Sequence, residues 1–183
     1  MELQPTLQGE RLLLRPLRPD DWDTLFAVAS DQLVWMQHPE PDRWSEPVFA
    51  AYFSSLLERG GSLAVIDRAN SALIGTSRFQ YGSPDDGGTV EIGSTVLARS
   101  HWGGGPNREM KRLMIAHALE FVAQVEFWAG ADNVRSRRAL EKIGAQLRDR
   151  IEQVDIAGRQ VPHVVYAITR EAFANGPLAV RGE

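Results

Sequence analysis

The segment Thr89–Val125 constrains the fold of this 183-residue chain more than any other. A strand-like run, Thr89–Leu97 (TVEIGSTVL), leads through His101-Trp102-Gly103-Gly104-Gly105-Pro106-Asn107 into a helical pattern. Met110, Leu113, Met114, His117, Phe121, Val122 and Val125 recur at helical spacing and predict the buried stripe of a long amphipathic helix. Consecutive glycines let the main chain turn sharply and approach a ligand closely. Pro106 is tolerated in the first turn, where its missing N–H has no helical partner. The free N–H groups and dipole at such a helix start favour an anion such as pyrophosphate. Arg99, Arg108, Lys111 and Arg112 crowd the same end and could approach phosphates. Two common phosphate signatures do not fit. Gly105-Pro106-Asn107 is not the Gly-Lys-Ser/Thr of a Walker loop, and the dinucleotide fingerprint has no final glycine, since Arg108 stands there. A glycine-rich bend taken alone is a structural turn about as often as a ligand site.

The flanking sequence defines the setting. Arg11–Leu17 reads as a strand that Pro16 ends early or confines to an edge. An Asp of Asp20-Asp21 caps a helix marked by Trp22, Leu25, Phe26 and Ala29. Val34–Pro47, with three prolines, reads as an irregular loop exposing Trp35 and Trp44. Phe49, Tyr52, Phe53, Leu56 and Leu57 mark a second helix, stopped by Gly60-Gly61. Ser62–Asp67, Ala72–Tyr81 and Thr89–Leu97 then predict an antiparallel meander, with turns at Asn70 and Gly82–Gly88. After the long helix come a short strand, Glu126–Ala129, a helix capped by Asn133 and stopped by Gly144, and a strand pair turning at Ala157-Gly158. The tail beyond Arg170 is expected to fray in part. The order β-α-α-β-β-β-α-β-α-β-β predicts an α+β fold in a single domain, 1–183, with its core at about 9–170.

Composition excludes several classes. No apolar run approaches the roughly 20 residues of a membrane helix, and the N-terminus lacks the basic-then-apolar pattern of a secretory signal. With no cysteine there are no disulfides, thiolate nucleophiles or Cys-bound metals, which fits a reducing, cytoplasmic setting. A net charge of −4 argues against nucleic acid as a partner, although Arg135, Arg137 and Arg138 form a local basic run. No metal site is expected, and the chain is expected to be a monomer or homodimer.

Trp102-Gly103-Gly104-Gly105, Glu109, Asn133-Val134-Arg135-Ser136 and Gly144-Ala145 occur in a fixed order, preceded by the opening RLLLRPLRPDDWDTLF. This set resembles the GCN5-related N-acetyltransferase (GNAT) family, in particular its branch similar to the bacterial ribosomal-protein N-terminal acetyltransferases. The resemblance covers most of residues 9–170. It implies a mostly antiparallel, twisted sheet of about seven strands flanked by helices. It also implies acetyl-CoA as cofactor, with its pyrophosphate on main-chain N–H groups from Trp102 to Asn107, through Gly103, Gly104 and Gly105. Arg108, Asn133 and Ser136 join the cofactor side. Measured against the general family pattern Gln/Arg-x-x-Gly-x-Gly/Ala, Trp102 and Asn107 depart at the two ends.

Acetylating an amine requires that its ammonium lose a proton, and a well-matched general base contributes about 10²–10⁴ in rate. Glu91, on the strand ahead of the loop, resembles the Glu often found there in this branch, and partial burial would raise its pKa. The plain alternative is a solvated strand carboxylate. His38 and His101 are other candidate bases, while His117 on the apolar stripe reads as a core histidine. A backbone N–H near Val96 or Leu97 would face the oxyanion if the strand bulges at Gly93-Ser94. Leu140 stands where many relatives carry an acidic Tyr, which leaves Ser136 as a candidate acid or simply a helix-start residue. Trp35, His38 and Trp44 are the candidate acceptor-binding residues, for a protein N-terminus, an amino acid or a small-molecule amine. An acyl-CoA-binding sensor without turnover is the alternative on the same fold.

Overall fold

The chain runs β1 (Leu7–Gln8), β2 (Leu12–Pro16), α1 (Trp22–Ala29), α2 (Gln32–Trp35), α3 (Glu46–Glu58), β3 (Ser62–Asp67), β4 (Ala72–Tyr81) and β5 (Val90–Leu97). It continues with α4 (Gly105–Leu119), β6 (Gln124–Gly130), α5 (Val134–Lys142), β7 (Gln146–Ile156), β8 (Arg159–Thr169) and α6 (Arg170–Asn175). These elements come from a computed structural model that describes residues 1–81, 88–103 and 105–179. Gly104 and residues 82–87 of the expected Gly82–Gly88 turn lie outside the described residues.

The strands form one sheet in the order β1-β2-β3-β4-β5-β6-β8-β7. All neighbours are antiparallel except β5 and β6, which α4 joins as a parallel crossover. The mixed, mostly antiparallel sheet agrees with the expectation, with eight strands rather than about seven. The additional one, β1, has two residues and is too short to show alternation; it pairs Gln8 with Leu13 of β2.

Two apolar clusters cover opposite faces. Met110, Met114 and Ile115 of α4 pack with Leu12, Val90 and Ile92 on one face. Leu25 of α1 and Phe49 and Phe53 of α3 pack with Ala64 and Val96 on the other. Three sequence expectations are corrected here. α4 ends at Leu119, so Val125 belongs to β6, and Phe121 just past the helix is 55% exposed. The Val34–Pro47 segment is partly ordered by the end of α2 and a 3-10 turn at Pro41–Trp44. His117 is only half-buried, with its Nε2 at 3.0 Å from the Glu2 carbonyl. In the tail, α6 is capped by Thr169 and Leu178 is 2% exposed within the α4-side core, while residues 180–183 lie outside the described residues.

Side chains fix several joints. Glu109 anchors the start of α4 to the sheet, its Oε1 accepting from the Arg11 and Leu12 amides at 2.9 and 3.2 Å. At the end of α3, Gly61 adopts φ +76°, and a Cβ there would lie 2.1 Å from the Phe79 carbonyl oxygen. Because both backbone strain and a backbone clash oppose a side chain, Gly61→Ala is expected to lower stability by about 1–3 kcal/mol in urea unfolding.

Candidate active site

The parallel pairing of β5 with β6 lasts for two residue pairs, Val90 with Val125 and Glu91 with Glu126. Beyond them β5 stays with β4 and β6 stays with β8, so the two strands diverge and leave facing edges without a partner strand. Ser94 and Thr95 are exposed although they lie mid-strand in the centre of an eight-stranded sheet. A split of this kind offers main-chain groups to an extended ligand, as an open sheet edge does.

The bulge allowed by Gly93-Ser94 is present. Arg78 pairs with Gly93 and Thr76 with Val96, so Ser94 and Thr95 together oppose Ser77. Ser94 has φ +48°, and its carbonyl accepts from the Tyr52 hydroxyl at 3.3 Å. The bulge sets which main-chain groups face the split. The Ala98 N–H donates to the Ile74 carbonyl at 2.8 Å, and neighbouring residues of an antiparallel strand point their polar groups to opposite sides. Leu97 therefore directs its N–H and C=O away from β4, toward the split, whereas Val96, paired with Thr76, faces β4. Of Val96 and Leu97, Leu97 is the one whose N–H faces the split. The Leu97 carbonyl accepts from the Trp102 indole N–H at 2.9 Å.

Glu91 lies at the closed end of the split. Its neighbours Val90 and Ile92 point into the α4-side core, so its own side chain points to the α1–α3 side. The half-buried carboxylate accepts from Gln80 Nε2 at 3.0 Å and folds over Gly93, where a Cβ would be 2.6 Å from Oε1. Burial pushes its pKa up to about 7; the Glu126 charge adds to the rise, while Arg78 and Lys111 oppose it. Glu91 is thus a half-buried carboxylate whose pKa lies near neutrality rather than a solvated strand carboxylate. Since Gly93 makes room for this carboxylate, Gly93→Ala is expected to displace it and lower the turnover rate while the fold persists, as a rate assay beside circular dichroism would show.

Two of the three glycines of the bend lie among the described residues. Gly103 has φ +71° with open space where a Cβ would stand, and Gly105 begins the 15-residue α4. Half-buried Asn107 lies in the first turn. Gly104 lies outside the described residues. The basic residues are less available than their spacing suggests. Arg99 pairs with Asp31, Arg108 donates to the Pro177 carbonyl, and Lys111 points into the sheet.

Asn133 is 7% exposed and caps α5, its Oδ1 accepting the Ser136 amide at 3.1 Å. That bond places Ser136 as a helix-start residue with its side chain half-buried. The neighbouring Arg135 stacks on Trp102, its guanidinium 4.3 Å from the ring centroid, and donates to the Val34 carbonyl at 2.6 Å. Trp102 and Arg135 thus bridge the open end of the split. Removing the cap with Asn133→Ala should cost about 1 kcal/mol in stability, read by urea unfolding.

The expected acceptor-side residues divide. Trp35 is 2% exposed and donates its indole N–H to the Ala29 carbonyl at 2.7 Å, so it is core rather than an exposed lining residue. His38 accepts the Glu40 amide at Nδ1, and burial beside Arg43 lowers its pKa to about 3. It is therefore neutral but too weakly basic to take an amine's proton. His101 sits beyond the end of β5, 3.6 Å from Asp67. Trp44 remains exposed.

Two residues named in the sequence for other reasons, Tyr52 and Lys111, stand at the split. Tyr52, named only as core, reaches the bulge from α3 through its hydroxyl, and Arg43 stacks on its ring at 4.2 Å. Lys111 reaches Thr95 Oγ1 from α4 at 2.8 Å. The signal for Lys111 was its helical phase, four residues before Ile115 and beside Met110 on the buried face.

Residues 11–146 match the acetyltransferase (GNAT) domain family. The fold is similar to that of a GNAT-family acetyltransferase from Bacillus anthracis, with TM-score 0.72, 22% identity and coverage of 91% of this chain and 99% of that one. It is also similar to a GCN5-related N-acetyltransferase from Brucella melitensis, with TM-score 0.75, 21% identity and coverage of 93% and 80%. A third likeness is to Mycobacterium smegmatis RimJ in complex with CoA-disulfide, with TM-score 0.67, 19% identity and coverage of 95% and 91%. No curated protein matches the chain.

Proposed function

Because the chain belongs to the GNAT family of acetyltransferases, enzymes that draw on acetyl-CoA, we propose that it acetylates a primary amine by direct attack in a ternary complex, with the β5–β6 split as the donor cleft and Glu91 as the base. The observation that carries this reading is the half-buried Glu91 carboxylate at the point where the two strands part.

The residues present suit acetyl-CoA. The split exposes Ser94, Thr95 and the outward polar groups of Leu97 to an extended amide-bearing chain. The main chain at Trp102 and Gly103, with the N-terminus of α4 from Gly105 to Asn107, suits a pyrophosphate. Asn133 and Ser136 hold the start of α5 beside it. When bound, acetyl-CoA supplies an activated acetyl group. Glu91 takes the proton from the acceptor nitrogen, and the Leu97 N–H faces the developing oxyanion. The chain has no cysteine to carry the acetyl group, which favours direct transfer.

The acceptor enters from the α1–α3 side, the side to which Glu91 points. Tyr52, Arg43 and exposed Trp44 border that approach, which suits a protein N-terminus, an amino acid or a small-molecule amine. The test is an acceptor screen with acetyl-CoA, reading thiol release and acetylated product by mass spectrometry. Amine-dependent release supports transfer; CoA binding with no release across the screen rejects it. Separately, acetyl-CoA at 100 times its Kd should stabilise the fold by about 2.7 kcal/mol in thermal unfolding, and no shift at saturating ligand would remove the cleft assignment.

A further inference from the structure

Lys111 and Lys142 are the only lysines in the sequence, against 18 arginines. Lys142 is exposed at the end of α5. Lys111 is 5% exposed and shares the sheet-facing side of α4 with Met110, Met114 and Ile115. Burying an ammonium is costly unless it is paired. Among the described residues no carboxylate forms an ion pair with it; its Nζ donates to the Thr95 hydroxyl at 2.8 Å, which in turn bonds Ser77 at 2.8 Å. The Nζ also stands 5.4 Å from the Phe127 ring centroid. Thr95 belongs to β5 and Phe127 to β6, so the amine lies between the strands beyond their last shared pair. Because Thr95 is exposed, that position opens onto the split.

The charged groups around it come from three strands. Glu91 on β5 acts from the opposite face of the sheet, Arg78 on β4 lies behind Glu91, and Glu126 on β6 is held by Arg150. Burial lowers the Lys111 pKa to about 7, with Glu91 opposing the fall. Both protonation states are therefore populated at neutral pH. Even a cysteine thiol ordinarily titrates at about 8.5, so an ammonium tuned this way can give its proton to an alkyl thiolate. A guanidinium cannot. Leu140, packed in the α4-side core, has no proton to give.

We propose that Lys111 is the general acid that protonates the departing thiolate, a role that rests on the donor occupying the β5–β6 split. The acceptor nitrogen forms its bond to the acetyl carbon while the carbon–sulfur bond breaks with its electron pair on sulfur. One proton passes from Lys111 Nζ to that sulfur, and the surplus proton of the acceptor nitrogen passes to Glu91. Exchange with water after release returns a proton to Lys111 and removes one from Glu91. The base and the acid thus stand on opposite faces of the sheet, joined through the split.

The test is competitive labelling of the intact protein with acetic anhydride across pH, with and without CoA, read residue by residue by mass spectrometry. Lys142 is the internal standard. Lys111 labelling is expected to rise as pH passes through neutrality, and CoA to protect Lys111 while leaving Lys142 labelling unchanged. Lys111→Arg and Lys111→Met, checked for folding by circular dichroism, are expected to lower kcat about 100-fold. KM for acetyl-CoA should change little, and the alkaline limb of the pH profile should disappear. Wild-type kcat and an intact alkaline limb in either folded variant overturn the proposal. So does calorimetric binding of CoA that leaves Lys111 labelling unchanged. Absence of any CoA binding overturns the donor cleft as well, which separates the two failures.

Discussion

Glu91→Gln is expected to lower kcat by roughly 10²–10⁴ while the protein keeps its fold and its affinity for CoA. Gln preserves the shape over Gly93 and can still accept from Gln80, so the loss isolates proton transfer. In the unaltered enzyme the carboxylate must be ionised to act, and with its pKa at about 7 the rate should climb along an acidic limb as pH approaches neutrality. In the variant that acidic limb should vanish. Stability moves the opposite way. A carboxyl whose folded pKa lies above its unfolded value holds more protons in the native state between about 4.5 and about 7, so stability falls as pH rises through that window and stays lower above it. Gln removes that cost, and the variant should unfold at the same or higher temperature than the wild type at pH 8. A parallel loss of activity and thermal stability would mean that Glu91 supports the sheet rather than the chemistry.

The parts of this arrangement legible in the sequence are those fixed by local pattern. Asn133 caps α5, Gly60-Gly61 ends α3, and the glycine bend opens α4, because capping and positive φ are written in one or two residues. Glu91 was legible as a base candidate because it stands just before that bend. What the pattern could not carry is what lies across the sheet. Lys111 reads as one more cation near a phosphate loop until β5 and β6 are seen to diverge in front of it. Trp35 reads as an exposed loop aromatic until Tyr52 and Ala29 are seen to enclose it. Arg108 looks free until the tail brings the Pro177 carbonyl to it. Each case depends on a partner at least 16 residues away in the chain, apart from Ala29.

A second large effect is expected at Glu126, the direct neighbour of Glu91 across the last β5–β6 pair. Glu126 is 3% exposed and takes two hydrogen bonds from the Arg150 guanidinium, at 2.9 and 3.3 Å. Arg150 in turn bonds Glu152 at 2.7 Å and lies 5.7 Å from the Trp128 ring centroid. Removing one partner of a buried pair costs roughly 3–5 kcal/mol, because the other charge is left in the interior. Arg150 is about one-third exposed, and water can therefore replace part of what is lost. Arg150→Met is thus expected to cost about 2–3 kcal/mol in urea unfolding. The double variant Arg150→Met/Glu126→Gln should recover most of it, since a neutral amide no longer needs the guanidinium. The same variants report on the base. The Glu126 charge pushes the Glu91 pKa upward, so Glu126→Gln should move the acidic limb of the rate profile to lower pH, and Arg150→Met, which leaves that charge uncompensated, should move it higher. Opposite shifts from two substitutions at one ion pair would tie the limb to the electrostatics of Glu91; a limb unmoved by both would mean that another group takes the proton.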